Sequence, residues 1–479
     1  MPRIPARPRP RTSQRTKAAR PPRPRTDDTL ERALAEAAAR PEPEARTFGQ
    51  FGLPQALVTV LARRGLHQPF AIQARVLPDA LAGRDILGRA TTGSGKTLAF
   101  GIPVLARLHD GGTVRRPGAP RAVVVVPTRE LARQVADVLA PLAHALGQRV
   151  TTVVGGLPIN KQIDQVRRGV DVVVATPGRL LDLMERGACS LDAVEITVLD
   201  EADHLADLGF LPDVRRILDA TTGRPVQRLL LSATLDRGVD KVVRDYLRDP
   251  AVHAVTPPPD QPRVMDHRVF TVRPDEKVAV ATEIAARPGR TLFFVRTRHG
   301  ADRLAKHLGK ADVAAAAIHG DRSQSQRQRA LDAFAAGYPR VLVATDVAAR
   351  GIHVDDVDLV VHYDLPADHK DYLHRSGRTA RAGAHGTVVA LAEPWQQRDL
   401  ARLHRDADVT PTTSATVGAG HPAVREVAES GTPIVVDPAV IRGEARATRP
   451  DRQKRRPRGA APKGARPARH GARPARASR

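Results

Sequence analysis

From residue 48 onward, short aliphatic runs alternate with stretches whose apolar positions recur every three to four residues. Runs of the first kind lie at 85–89, 121–127, 150–154, 171–175, 195–199 and 228–231, and helical stretches separate most of them. Such alternation predicts parallel strands with helices on both faces of a sheet. The segment TPPPDQP at 256–262 interrupts the pattern, because it can form neither a helix nor a central strand. Alternation resumes with strand candidates at 291–295, 314–318, 340–344, 358–362 and 387–391. The pattern therefore predicts an α/β chain with two consecutive domains, at 47–255 and 264–408, joined by a linker at 256–263. Residues 1–46 read as a disordered basic arm, apart from a helix-like stretch at 29–40. Beyond Asp408 periodicity is lost, and 409–479 read as a largely disordered basic tail.

Composition narrows the class. The chain has 479 residues, enough for two or three domains, and 41% of them are hydrophobic against 3% aromatic, so its cores must be built from Ala, Val and Leu. The formal net charge is +24, of which the arm at 1–26 and the tail at 446–479 carry +21. A near-neutral body between two cationic ends suggests a protein that works beside a polyanion. Neither end has the apolar surface needed to offset chain entropy. A single cysteine, Cys189, excludes a disulfide framework and a Cys-rich zinc site. No apolar run reaches the length of a membrane span. Proline in the acid-free N-terminus argues against the amphipathic helix of an organelle-targeting peptide. A cytoplasmic protein without a membrane partner is expected.

Candidate chemistry begins at Ala90-Thr91-Thr92-Gly93-Ser94-Gly95-Lys96-Thr97, between a strand run and a helical one. This is the setting of a phosphate-binding loop, in which backbone N–H groups and a helix N-terminus face a triphosphate. Glycines at 93 and 95 let the backbone close on phosphate, with Thr92 and Ser94 beside them. Lys96 reaches the terminal phosphates, and the Thr97 hydroxyl is suited to ligate Mg²⁺. Ala90 departs from the glycine usual at the first position. The strand run at 195–199 leads into Asp200-Glu201-Ala202-Asp203, at the strand end where open α/β sheets bind ligands. Asp200 is the candidate second magnesium ligand, and Glu201 the group that activates water.

Other segments read as contacts to a nucleic-acid backbone. They are Pro127-Thr128-Arg129-Glu130-Leu131-Ala132, Gly155-Gly156, and Thr176-Pro177-Gly178-Arg179, each just after a strand run. Thr128 and Thr176 are suited to cap the helices that follow, with Pro177 at the first helical position. Free N–H groups at helix starts bind phosphate, while Arg129 and Arg179 add charge; none of these groups reads a base edge.

Taken together, the motifs over residues 48 to about 405 resemble the DEAD-box RNA helicases, and most closely the bacterial RhlE-like members. That resemblance implies two tandem RecA-like domains, ATP and Mg²⁺ as ligands, and RNA as the partner. Phe48 and Gly65-Leu66-His67-Gln68-Pro69-Phe70-Ala71-Ile72-Gln73 resemble the family's adenine-recognition motif. It gives adenine contacts to Phe48 and Gln73, and an amide can pair with both edge positions of that base. Phe70 stands where a hydroxyl residue is usual. Ser232-Ala233-Thr234 resembles the motif that links the acidic loop to RNA, so Asp203, Ser232 and Thr234 are implied to couple the sites. In the second half, Phe294, Gln324-Ser325-Gln326-Arg327, residues 344–351 and residues 372–381 match family positions. The resemblance implies RNA contact by Thr345, coupling by Asp346 and His374, nucleotide contact by Gly351, and charge stabilisation by Arg378 and Arg381. His353 replaces an aspartate that contacts ribose in the family.

The function implied is ATP-dependent, sequence-independent remodelling of short RNA duplexes by a monomer, with ribosome assembly and RNA decay as settings. An ATP-gated RNA clamp is the alternative. A passive annealing protein and a DNA-directed enzyme are weaker readings. The charged ends are candidates for a salt-sensitive RNA tether.

Overall fold

In the computed structural model, the described residues are 26–41, 46–90, 94–111, 114–221, 225–235, 238–255, 265–349, 357–380 and 385–431. Among them are two seven-stranded sheets, both parallel throughout. The first contains β1 Ile86–Arg89, β2 Ala122–Val125, β3 Val150–Val153, β4 Val172–Ala175, β5 Ile196–Asp200, β6 Gln227–Ser232 and β7 Ala251–Ala254. Its strand order is β3-β4-β2-β5-β6-β1-β7. The second contains β8 Met265–Thr271, β9 Thr291–Phe294, β10 Ala315–Ile318, β11 Val341–Ala344, β12 Leu359–His362, β13 Gly386–Ala392 and β14 Thr412–Thr416. Its order, β10-β11-β9-β12-β13-β8-β14, repeats the first strand for strand. This is the tandem RecA-like architecture.

Burial follows the two-residue period of the strands. In the first sheet, Ile86, Val124, Val174, Val198 and Leu229 pack on one face with the helices Ala71–Leu81, Lys96–Asp110 and Arg129–Ala145. Leu87, Val123, Val125, Val173 and Leu230 face the helices Pro177–Glu185, Leu211–Asp219 and Val239–Tyr246. Both faces are therefore sealed, and each fully buried Val or Leu contributes roughly 1.5–3 kcal/mol. That leaves the strand ends as the place where polar groups can gather.

The helix expected at 29–40 is present, and order extends past the expected boundary at 408. A helix at Thr26–Ala39 buries Leu34 and Ala37 against Ala254 of β7. Arg75 secures it by donating to the carbonyls of Ala37 at 2.6 Å and Arg40 at 2.7 Å, and to that of Ala254 at 2.8 Å. Past residue 408, β14 pairs with β8, and the helix Pro422–Glu429 inserts Val424 and Val427 into the second core. The strands that the apolar pattern misses are β7, β8 and β14, which form one side of each sheet. Their half-polar stretches, AVHA, MDHRVFT and TTSAT, lack a central strand's continuous apolar run. The expected linker at 256–263 lies outside the described residues. Among the described residues, no helix is long and apolar enough to cross a membrane.

Candidate nucleotide and nucleic-acid sites

Strand order brings together segments far apart in the chain. Because β5, β6 and β1 are neighbours, the acidic quartet, the Ser232–Thr234 loop and the phosphate loop emerge side by side. Gly95 caps the helix Lys96–Asp110 in a left-handed conformation, φ 86°. A side chain there would run into the Gln73 amide and the Phe70 ring, so only glycine fits. Gln73 is buried; its Oε1 accepts from the Phe70 N–H at 2.9 Å, and its Nε2 donates to the Gly95 carbonyl at 3.0 Å. Each atom keeps one further hydrogen-bonding capacity toward a base. Thr92 and Gly93 lie outside the described residues, whereas Ser94 and Thr97 sit half-buried at the start of the helix.

Lys96 is buried, and its Nζ has no hydrogen-bond partner among the described residues. An ammonium held this way is costly until an anion meets it. Asp200 is buried beneath it; burial, opposed by the charge of Lys96, pushes its carboxyl up to about 7. A buried, hard oxygen donor beside a site built for phosphate suits Mg²⁺, which takes one or two carboxylates plus phosphate oxygens. Among the described residues, no group of three or more His, Cys, Asp or Glu is arranged as a closed metal centre.

Glu201 adopts φ 51°, which is left-handed and strained for a non-glycine residue. Burial would raise its carboxyl, but a hydrogen bond from His204 and the charges of Lys96 and Arg378 hold it well below the usual carboxylate range. Asp203 is enclosed by the neighbouring loop. Its Oδ2 accepts from the Ala233 N–H at 3.1 Å, the Thr234 N–H at 2.8 Å and the Thr234 hydroxyl at 3.0 Å, while Ser232 Oγ accepts from the Asp203 N–H at 3.2 Å.

The second sheet supplies the opposite wall. A cleft is lined by Lys96, Glu201, Asp203, His204, Ala233, His374 and Arg378. His374 lies 4.0 Å from Asp207, and burial lowers its pKa from the ordinary histidine value. Its helix, His369–Ser376, is anchored by Arg375, which sequence reasoning passed over. Arg375 grips Asp346 at 2.5 and 2.7 Å, donates to the Asp364 carbonyl at 2.7 Å and lies 5.0 Å above the Phe294 ring. A second missed residue is Glu130, whose buried carboxylate takes Arg327 at 2.9 Å and Gln324 at 3.0 Å from the other sheet. In sequence, an acid in a helix's first turn looks like dipole complementation, so nothing flagged it.

A separate surface forms where β3, β4 and β2 end. The Arg129 guanidinium lies against Gly155 and Gly156, and at Gly156, φ 73°, a Cβ would collide with it. Arg179 donates to the Leu157 carbonyl at 2.9 Å. Thr128 caps its helix by accepting from the Leu131 N–H at 3.2 Å. Thr176 occupies the cap position of Pro177–Glu185 without a side-chain bond, and Gly178 has open space around its Cα. The segments expected to contact nucleic acid thus adjoin one another, and Thr345 occupies the corresponding end of β11.

Phe48, the other expected adenine contact, is only 2% exposed and sits in the first core with Leu53 and Leu57. The exposed aromatic beside Gly95 is Phe70, at 58%. Gly351, His353 and Arg381 lie outside the described residues.

Comparison with known proteins agrees with this arrangement. Residues 70–242 match the DEAD/DEAH box helicase model, and residues 276–383 match the helicase conserved C-terminal domain. The chain is 37% identical over 379 residues to ATP-dependent RNA helicase DBP2 of Scheffersomyces stipitis, an alignment covering 76% of this chain and 70% of that protein. This chain belongs to the DEAD/DEAH box helicase family. It is also 40% identical over 409 residues to the chloroplastic DEAD-box ATP-dependent RNA helicase 3B of Zea mays, covering 84% of this chain. It spans 53% of that relative's length. Among solved structures, S. cerevisiae Dbp5 bound to RNA and ADP BeF3 superposes with a TM-score of 0.69 at 28% identity, over 80% of this chain and 100% of that one. The cleft and the basic surface are thus features of a helicase-family chain.

Proposed function

We propose that this helicase-family chain is an ATP-dependent RNA helicase that couples hydrolysis to local, sequence-independent opening of short RNA duplexes. The observation that carries the reading is the cleft itself: a buried Lys96, with no hydrogen-bond partner among the described residues, and the Glu201 carboxylate face His374 and Arg378 from the other sheet. Such a site is complete only when both domains contribute, so bringing them together can switch hydrolysis on. The relatives named RNA helicases, and the likeness to Dbp5 bound to RNA and ADP BeF3, support ATP and RNA as the ligands.

In this reading, Gln73 and the loop Thr92–Thr97 hold ATP, and Lys96 binds its terminal phosphates. Thr97 and Asp200 would hold Mg²⁺, which supplies charge neutralisation at the phosphates when bound. Glu201 orients a water and takes its proton as the water oxygen bonds to the terminal phosphorus. The bond to the bridging oxygen breaks, and its electrons leave with ADP. Arg378, with Arg381, offsets the charge that develops. Arg129, Gly156, Thr176, Pro177, Gly178, Arg179 and Thr345 hold the RNA backbone, and contacts of this kind carry no base information. Asp203, Ser232, Thr234, Asp346 and His374 link the two sites.

The test is Glu201→Gln. It should retain ATP-dependent RNA binding while RNA-stimulated hydrolysis and displacement of a short tailed duplex fall by about 10²-fold or more. Hydrolysis near the wild-type rate would remove Glu201 from its role. Wild-type hydrolysis without strand displacement would favour a clamp over a helicase.

A further inference from the structure

We propose that His204 is a positioning residue for hydrolysis, acting through Glu201; the inference rests on the ATPase reading above. The helix Ala202–Asp207 begins directly after Glu201, and its i to i+3 spacing stacks His204 beside that residue. His204 Nδ1 lies 3.1 Å from Glu201 Oε2. The two side chains are 8% and 12% exposed, so water competes little for the contact. An ionised carboxylate can only accept, and this sets the tautomer. Nδ1 therefore carries the hydrogen and donates it. Nε2 is itself buried, without a protein partner among the described residues.

The backbone that carries the ring is held. The His204 backbone N–H donates to Asp203 Oδ1 at 3.0 Å, and the other oxygen of Asp203 is the one tied to the Ser232–Thr234 loop. Glu201 is held too, because its own N–H donates to Asp200 Oδ1 at 3.0 Å and its carbonyl accepts from the Leu205 N–H at 3.0 Å. A fixed backbone still leaves the end of a glutamate side chain free to rotate, since its last torsion is broad. The imidazole hydrogen removes that freedom by engaging Oε2, so Oε1 is the oxygen presented to water. A base out of line loses rate steeply, even when nothing else in the site has moved. His204 thus joins the Ser232–Thr234 loop to the hydrolytic carboxylate through Asp203, a connection no pairwise motif contact provides.

The test compares RNA-stimulated ATPase of His204→Leu and His204→Asn with wild type, because the asparagine amide can replace the Nδ1–H donor. His204→Leu should lower kcat by about 10- to 100-fold. Its KM for ATP and its ADP·BeF3-dependent RNA binding should stay within about twofold of wild type, and His204→Asn should recover to within about threefold. Added to Glu201→Gln, His204→Leu should cost nothing further, as expected of residues that act as one unit. A kcat for His204→Leu within twofold of wild type would overturn the proposal. So would an asparagine variant as slow as the leucine one, or a full additional loss in the double variant. If His204→Leu does not fold, the asparagine variant decides alone: a hundredfold loss in kcat with unchanged KM overturns the positioning role. A wild-type chain without RNA-stimulated hydrolysis would instead overturn the underlying ATPase reading.

Discussion

The two sheets share one strand order, so their strand ends can be compared position by position. At the β2 and β9 ends, Thr128 and Thr297 each cap a helix with the side chain, and each helix opens with an arginine, Arg129 or Arg298. At β4 and β11, Thr176 and Thr345 follow the last alanine of their strands. On the other half of the sheets the likeness ends. β5 runs into Asp200 and Glu201, whereas β12 ends at His362 and leads to Asp364. One half of the architecture is therefore duplicated and the other divided, carboxylates and lysine on the first sheet against arginines on the second. Duplication suits a ligand that repeats, such as a phosphate backbone. Division suits a reaction that must wait for both domains.

The division is tested most severely by Arg378→Ala. With an arginine finger worth about 10³–10⁵ in related transfers, RNA-stimulated kcat should fall by about 10³-fold. ATP binding to the first domain, read by a fluorescent nucleotide, should change little. A comparable loss of ATP binding would mean that Arg378 belongs to the ground-state site and that the sheets are less divided than proposed.

The second contrast lies in what each sheet buries beside its site. In the second domain, His267, His362 and His404 surround Tyr372, with His362 stacked on the ring at 4.6 Å and His267 Nδ1 2.8 Å from its hydroxyl. Burial lowers the pKa of all three imidazoles: His362 well below the ordinary value, also disfavoured by Arg375, and His404 to about 4. These depressed bases bind fewer protons folded than unfolded. Their contribution is complete above the unfolded value near 6.5 and is lost as pH falls through each folded value, which for His404 is about 4. For His404 the loss is on the order of 3 kcal/mol. The apparent Tm should drop over that window, and His404→Leu should flatten the drop. An identical pH profile in the variant would clear the stack of the effect.

The smallest expected effect concerns the duplicated half. Arg129→Ala should weaken RNA binding evenly across sequences and reduce the salt slope by about 0.7, the share of one single-strand phosphate. An unchanged slope would mean that Arg129 serves to support the Gly155–Gly156 turn rather than to meet phosphate.

Legibility differed from one residue type to another. The central strands could be read from sequence because burial on both faces demands continuous aliphatic runs such as residues 122–125. The outer strands and the C-terminal helix could not. A surface of Leu34 and Ala37, or of Val424 and Val427, shows its purpose only when a sheet face lies opposite. The phosphate loop and acidic quartet were legible because their chemistry is local to a strand–turn–helix.

By itself, then, the sequence determined the fold class, the chemistry of the phosphate loop and its carboxylates, and the family, because each depends on residues close together in the chain. Tertiary structure decided the pairings: Arg375 with Asp346, Glu130 with Arg327, and His374 and Arg378 opposite Lys96. These depend on strand order and burial, which strengthen short polar contacts by removing water and leave no trace in local residue spacing.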